Sequence, residues 1–499
     1  MNIMRRWVTP IKWICFLLLL AGALSIAAGV TERKESLRKY ADLKKAAPLT
    51  DVLFLGSSHV INGIDPVLLY EEEGIASLNL GGHGSILPAS YYELLLALSY
   101  ASPRLVVVDG YMMDRDYHYL DEMTEDADDA EREASVSQLH LNLDVFPPGR
   151  TKLYAVRDLI ADRGTRFEFL FPFLLYHNRW SALTADDVLP VGHSAEDNHL
   201  LGAEIRMGVD YRISPHEAVG EEVPDGTIHL GEQYLQMILA ACRERDIDVA
   251  LTFLPCNSTV TDRQTAERLE AVAAAEDLPC INLLKEPVVD PRTDYNDEGH
   301  LNLLGMTKVT RRIGTFLREH TDLPDRRGEE AYALWARRAA ERSKRLTDLL
   351  YETRSLPEAL LLLSQDRTRA SAVLYLSGTG AAIGDPAVRN LIDALLPDNT
   401  LREAAAAGEP FLLFLPEGEA PVFSHSGYGV SEWEDTALGP LETIRVENFS
   451  AVYLDRNEEE NLLDMEEDRL SDAQLILWTD DGNKERVLFN YNTEPTVIK

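Results

Sequence analysis

Residues 51–63 read DVLFLGSSHVING, and this stretch decides the fold. Four apolar residues closed by Gly56 read as a short buried strand, and Gly56-Ser57-Ser58-His59 reads as a sharp turn that opens a helix. The same grammar continues outward. SLNLGG (77–82) is a second strand with a glycine-rich end, ILPASYYELLLALSYA (86–101) has helical spacing, and RLVVVDGY (104–111) is again an apolar strand. The alternation resumes with helix 231–246, strand DVALTFLP (248–255), helix 261–276, strand PCINLL (279–284) and helix 303–320. Strands alternating with helices of this length predict an α/β domain whose parallel sheet is covered on both faces, over about 49–320.

Between the two halves lies a long insertion, roughly 115–228, rich in aromatics at TRFEFLFPFLLYHNRW (165–180). Insertions of this size on an α/β core tend to form lids or substrate walls. Beyond His320 the character changes. Residues 321–365 read as a charged helical linker, and 366–499 as a separate C-terminal β-rich α+β domain, with strands such as SAVLYLSG (371–378) and FLLFLPEG (411–418).

At the other end, Arg5, Arg6 and Lys12 precede WICFLLLLAGALSIAAGV (13–30), an uncharged run long enough to span a bilayer as a transmembrane helix. The flanking cations predict a cytoplasmic N-terminus. Ser25-Ile26-Ala27 also reads as a signal-peptide cleavage site, but the apolar run exceeds the ~7–15 residues of a signal core, which favours an uncleaved anchor over 1–30. Both readings export the chain. A charged stalk, 31–48, then lifts the α/β domain off the membrane.

The formal charge of −35 argues against a nucleic-acid binder, because phosphate contacts need clustered Lys and Arg. Much of the acid lies in 114–133 and 456–469, which read as solvated faces. Asp114, Asp116 and His118 form a D-x-D-x-H pattern inside the first run. They read as solvated too, so no metal and no cofactor is expected. Cys15, Cys242, Cys256 and Cys280 are scattered and read as structural thiols, with a Cys256–Cys280 bridge as the alternative.

A serine on a turn at the carboxyl edge of a parallel sheet can present its hydroxyl to a cleft. It is a poor nucleophile until a base stands within hydrogen-bond reach. Just after the last strand, Asp297-Glu298-Gly299-His300-Leu301-Asn302 supplies an imidazole with an aspartate three residues earlier, able to fix its tautomer. The bland alternative is a helix-capping Asp beside an exposed His.

LFLGSSHVING (53–63), NLGGHGS (79–85) and DEGHLNLLG (297–305) together resemble the SGNH, or GDSL-type, hydrolases, in particular a membrane-anchored bacterial envelope branch related to D-alanyl transfer and glycan O-acetylation proteins. The resemblance implies a flavodoxin-like three-layer sandwich. It maps the nucleophile onto Ser58, with Ser57 in the place of the usual acidic residue, and the base and its orienter onto His300 and Asp297. It maps an oxyanion N–H donor onto Gly84, with Gly82 as the competing choice. The third block departs from the pattern: VVVDGYMMD (106–114) has Met112 and Met113 where Gly and Asn would stand. Asn62, Asn178 or a backbone N–H are the candidate replacements, and a binding-only relative is the alternative to an enzyme.

For substrate contacts the candidates are His59 beside the nucleophile, and Asn178, Arg179 and Trp180 in the insertion. Each also has a structural reading as a packing residue or ion pair. His83, between the two glycines, is a loop histidine that can reach the cleft. The resemblance implies an O-acylated cell-envelope glycan as substrate and a membrane-bound O-acyltransferase as partner. The strand pair LILWTDDGNKERVLFNYN (475–492) resembles interleukin-like or PANDER-type extracellular domains, which implies carbohydrate or protein binding by the C-terminal region.

Overall fold

The run VLFL forms strand β1 (Val52–Leu55), and all four of its residues are buried. Such a strand needs cover on both faces, and it has it. The computed structural model describes residues 2–31, 43–116, 136, 138–171, 173–177, 179–183, 187, 200–213, 228–365, 370–396, 399–415, 423–426, 429–433, 441–446, 449–454, 472–478, 484–489 and 496–498. With β2 (Ser77–Asn79), β3 (Leu105–Asp109), β4 (Asp248–Phe253) and β5 (Cys280–Asn282), β1 builds a parallel sheet in the order β2-β1-β3-β4-β5. This is a doubly wound order, and its direction reverses on either side of β1, so the loops after β1 and β3 diverge there.

The pleat divides the core. Leu53, Leu55, Val106 and Val108 face one cluster, while Val52, Phe54, Leu105 and Val107 face the other. Helices α4 (Leu87–Ala97) and α8 (Leu230–Arg243) pack against each other beside the first cluster. Helices α3 (Pro66–Glu73) and α10 (Leu303–His320) do the same beside the second. The intervening helices are α5 (Arg150–Leu159), α6 (Arg163–Leu170), α7 (Phe173–Tyr176) and α9 (Val260–Glu276). α1 (Asn2–Thr31) precedes them all, as does the short α2 (Ser58–Gly63) among the core elements. Over Ile11–Thr31, α1 has a mean hydropathy of 2.4 and is long and apolar enough to cross a membrane.

Residues 321–365 carry α11 (Ala333–Glu352) and α12 (Leu356–Leu363). α11 packs on α3, and its Trp335 is fully buried in the first cluster, with Nε1–H donating to the Ser77 carbonyl at 3.1 Å. Burying an aromatic side chain of this size contributes about 4–6 kcal/mol at 25 cal/mol per Å². The C-terminal residues form a separate antiparallel sheet of six strands, ordered β14-β13-β12-β6-β7-β8. Its strands are β6 (Ser371–Leu376), β7 (Phe411–Leu415), β8 (Phe423–Ser426), β12 (Ala473–Trp478), β13 (Lys484–Phe489) and β14 (Thr496–Ile498). A further small antiparallel sheet joins β9 (Gly429–Trp433), β10 (Leu441–Val446) and β11 (Phe449–Leu454).

All four cysteines are free, so the alternative Cys256–Cys280 bridge is not formed. Burial pushes the Cys242 and Cys280 thiols up to about 12, which suits inert packing groups.

Candidate active site

Gly56 ends β1 at φ +154°, and a Cβ there would lie 2.6 Å from Val60 Cγ2 and 2.9 Å from Asp109 Cβ. Only glycine fits, and the turn it permits carries Ser58 to the carboxyl edge, where the sheet order reverses. Ser58 is the first residue of α2, and Ser57 caps the helix by accepting the His59 N–H. The loop after β2 presses close, since a Cβ on Gly81 would lie 2.8 Å from the Ser57 carbonyl oxygen.

The other half of the site is a tight loop before α10. Tyr295 and Leu301 form an antiparallel bridge, and the Asn296 N–H donates to the His300 carbonyl at 2.8 Å. Asn302 caps α10 by accepting the Leu304 and Gly305 N–H groups, and its Nδ2 donates to the Thr293 carbonyl at 2.7 Å. The loop therefore has little freedom to turn His300 elsewhere.

His300 Nε2 lies 2.8 Å from Ser58 Oγ, and His300 Nδ1 lies 2.7 Å from Asp297 Oδ1. With Nδ1–H donating to the carboxylate, Nε2 is free to accept the serine proton. Asp297 Oδ1 also accepts the Gly299 and His300 N–H groups at 3.0 Å, and Oδ2 accepts Asn296 Nδ2–H at 2.8 Å. Burial opposes ionisation of Asp297, but these bonds from Asn296, Gly299 and His300 outweigh it and hold the carboxyl below its usual range. The His300 side chain is 29% exposed, so the site opens to solvent.

The main-chain donors are settled by what else they bond. The Gly82 N–H donates to the Gly56 carbonyl at 2.9 Å, which removes Gly82 as an anion donor. Asn62 is removed too: it is fully buried and its Nδ2 donates to the Glu204 carbonyl at 2.8 Å. Gly84, half-buried at φ +57°, and Ser58 carry N–H groups with no acceptor among the described residues. The turn between the two glycines is held by Asn142, which accepts the His83 N–H at 3.0 Å and donates to the His83 carbonyl at 2.8 Å. Met112 and Met113 are buried in the first core cluster, their carbonyls against Gly231, so neither offers a side-chain donor.

His59 is not a surface contact. Its ring lies 3.8 Å from that of Tyr111 and edge-on to His300 at 6.1 Å, and burial first, then the neighbouring His300, push it down to about 3. It floors the site as a neutral ring. His83 faces Glu204, 3.2 Å from its carboxylate. Arg179, expected to grip substrate, is engaged by the Thr31 carbonyl and by Asp187. Trp180 is exposed, and Asn178 and His118 lie outside the described residues. Asp116 bonds His229 and the Leu230 N–H at the start of α8, and no metal-ligating cluster occurs among the described residues.

Sequence reasoning missed Asn142, Asn296 and a strap, 200–213, that ties the two halves together. The Glu204 N–H donates to the Ile61 carbonyl, the Gly208 N–H to Asn296 Oδ1, and the Asp210 N–H to the Tyr295 carbonyl. The strap has no periodic apolar pattern, so nothing local in it announces this role.

No protein-family model matches the chain. No curated protein matches it. Among solved structures, a candidate acylhydrolase from Bacteroides fragilis is similar at 13% identity and a TM-score of 0.26, covering 58% of this chain and 99% of that one. A likeness of that size carries no argument, and the chemistry rests on the geometry above.

Proposed function

We propose that this chain is a serine esterase or O-acyltransferase of the SGNH type that works outside the cytoplasm on acyl esters of cell-envelope glycans. One observation carries the reading: Ser58 Oγ, the His300 ring and Asp297 form a continuous relay of 2.8 and 2.7 Å at the switch point of a doubly wound sheet. Of the three sequence blocks that resemble the SGNH hydrolases, the first and last supply these residues and the middle one supplies Gly84.

In the first step Ser58 Oγ bonds to the ester carbonyl carbon as its proton passes to His300 Nε2. The carbonyl oxygen takes the negative charge between the Ser58 and Gly84 N–H groups, and Asp297 stabilises the imidazolium. Collapse breaks the ester C–O bond, and the leaving alkoxide takes the proton from His300. Water, for a hydrolase, or a glycan hydroxyl, for a transferase, then gives its proton to His300 and bonds to the acyl carbon, and the acyl C–Oγ bond breaks as His300 returns the proton to Ser58 Oγ. The apolar helix α1, the SGNH resemblance and the formal charge of −35 support an envelope glycan as substrate. A membrane-bound O-acyltransferase fits as the acyl donor's source.

The burial of Met112 and Met113 favours a second reading, a scaffold or glycan-binding relative. Loss of one oxyanion donor costs about 10²–10³ in rate. A fluorophosphonate probe and a chromogenic acetyl ester, applied to the full chain, separate the two. Labelling and turnover that vanish in Ser58→Ala establish the enzyme, and their absence from the unaltered chain establishes the scaffold.

A further inference from the structure

Helix α1 ends at Thr31, whose carbonyl is one of the four that a helix C-terminus leaves unbonded. Arg179 Nη1 donates to it at 2.6 Å, and α7 packs against α1. The segment 163–182 is thus fixed beside the point where the apolar helix meets the rest of the chain. Phe169 and Tyr176 turn inward, but four other large side chains do not. Phe167 is 59% exposed, Phe171 57%, Leu174 53% and Trp180 60%. Phe167 and Phe171 stand one helical turn apart with rings 6.5 Å apart, so they share a face.

The charge here also runs against the rest of the protein. Residues 163–182 hold three Arg against one Glu, in a chain of formal charge −35. Exposed aromatics bordered by arginines are the composition of the headgroup level of a bilayer, where rings sit among acyl-chain ends and guanidinium groups reach phosphates. A patch of this kind on a water-facing surface marks an interaction site.

The geometry points to residues 163–182 as a second membrane contact, lying in the interface of an anionic bilayer beside the exit of α1. The inference extends the reading of α1 as a membrane span. A docked segment would fix the orientation of the α/β domain, which a single span leaves free to rotate.

The test places spin labels at Phe167→Cys, Phe171→Cys, Leu174→Cys and Trp180→Cys, one at a time, in the full chain carrying Cys15→Ser. Each is reconstituted in nanodiscs of phosphatidylethanolamine and phosphatidylglycerol. Met237→Cys, exposed on α8, is the aqueous reference, and Leu19→Cys, 74% exposed on α1, reports the span. The expected result is an oxygen-to-nickel accessibility ratio severalfold higher at the four positions than at Met237. Four positions as open to nickel as Met237, with Leu19 lipid-exposed, overturn the docking and leave the span, and hand the patch to a protein partner. Lipid exposure at the four positions with Leu19 open to nickel supports docking and overturns the span.

Discussion

The Gly208 N–H donates to Asn296 Oδ1 at 2.9 Å, and the other end of that amide donates to Asp297. The strap thereby sets the plane of the carboxylate that orients His300, although neither Gly208 nor Asn296 touches Ser58. Positioning of this kind is worth a hydrogen bond to a charged group, about 1.5–3 kcal/mol.

Asn296→Ala is therefore expected to lower kcat roughly tenfold with KM little changed, the signature of an interaction that matters in the transition state. The Asp297 carboxyl titration, followed by carbon NMR, should move upward once the Asn296 bond is gone. A KM effect alone, or an unmoved titration, would refute the positioning role.

Asp297→Asn keeps the shape of the relay but offers His300 an amide that can orient the wrong tautomer. Turnover of an acetyl ester should fall by about 10³–10⁴ while thermal stability changes little. Loss of less than about tenfold would mean that Asp297 only caps the loop.

Arg342 Nε donates to Asp65 Oδ2 at 2.6 Å, with both side chains sealed from solvent. Asp65 also caps α3 through the Val67 and Leu68 N–H groups. Arg342→Ala leaves a buried carboxylate without its counter-charge, and calorimetry should show a loss of about 3–5 kcal/mol. A loss below about 1 kcal/mol would mean that α11 is dispensable to the core.

His59 links stability to pH. Its folded value of about 3 lies below the ordinary 6.5, so between the two the unfolded chain binds a proton that the folded chain refuses. Its contribution is complete above pH 6.5 and drains away as pH falls toward 3, at on the order of 1 kcal/mol per pH unit. His59→Phe retains a ring against Tyr111 and should flatten the acid side of a melting-temperature profile. An unchanged slope would show that His59 is solvated in the folded chain.

Much of the α/β region was legible because its signals are local. VLFL reads as a strand from its own residues, Gly56 forces the turn by lacking a Cβ, and Asp297 and His300 sit three residues apart on one loop. The strap was not legible, since an extended segment bonded through its backbone leaves no mark on its side-chain pattern. The bond from Arg179 to the Thr31 carbonyl was not legible either, because the two residues lie 148 positions apart in the sequence.

What the sequence determined alone is the order of strands and helices in the α/β region, the turn at Gly56 and the pairing of Asp297 with His300 on one loop, because hydrophobic period, glycine sterics and short spacing act within a few residues. Only the tertiary structure decided that the Gly82 N–H goes to the Gly56 carbonyl while the Gly84 N–H has no acceptor among the described residues, that Asn62 turns to Glu204, and that Arg179 is claimed by Thr31. Each is a competition among partners distant in the chain, and hydrogen-bonding groups are satisfied by whichever partner the fold brings near.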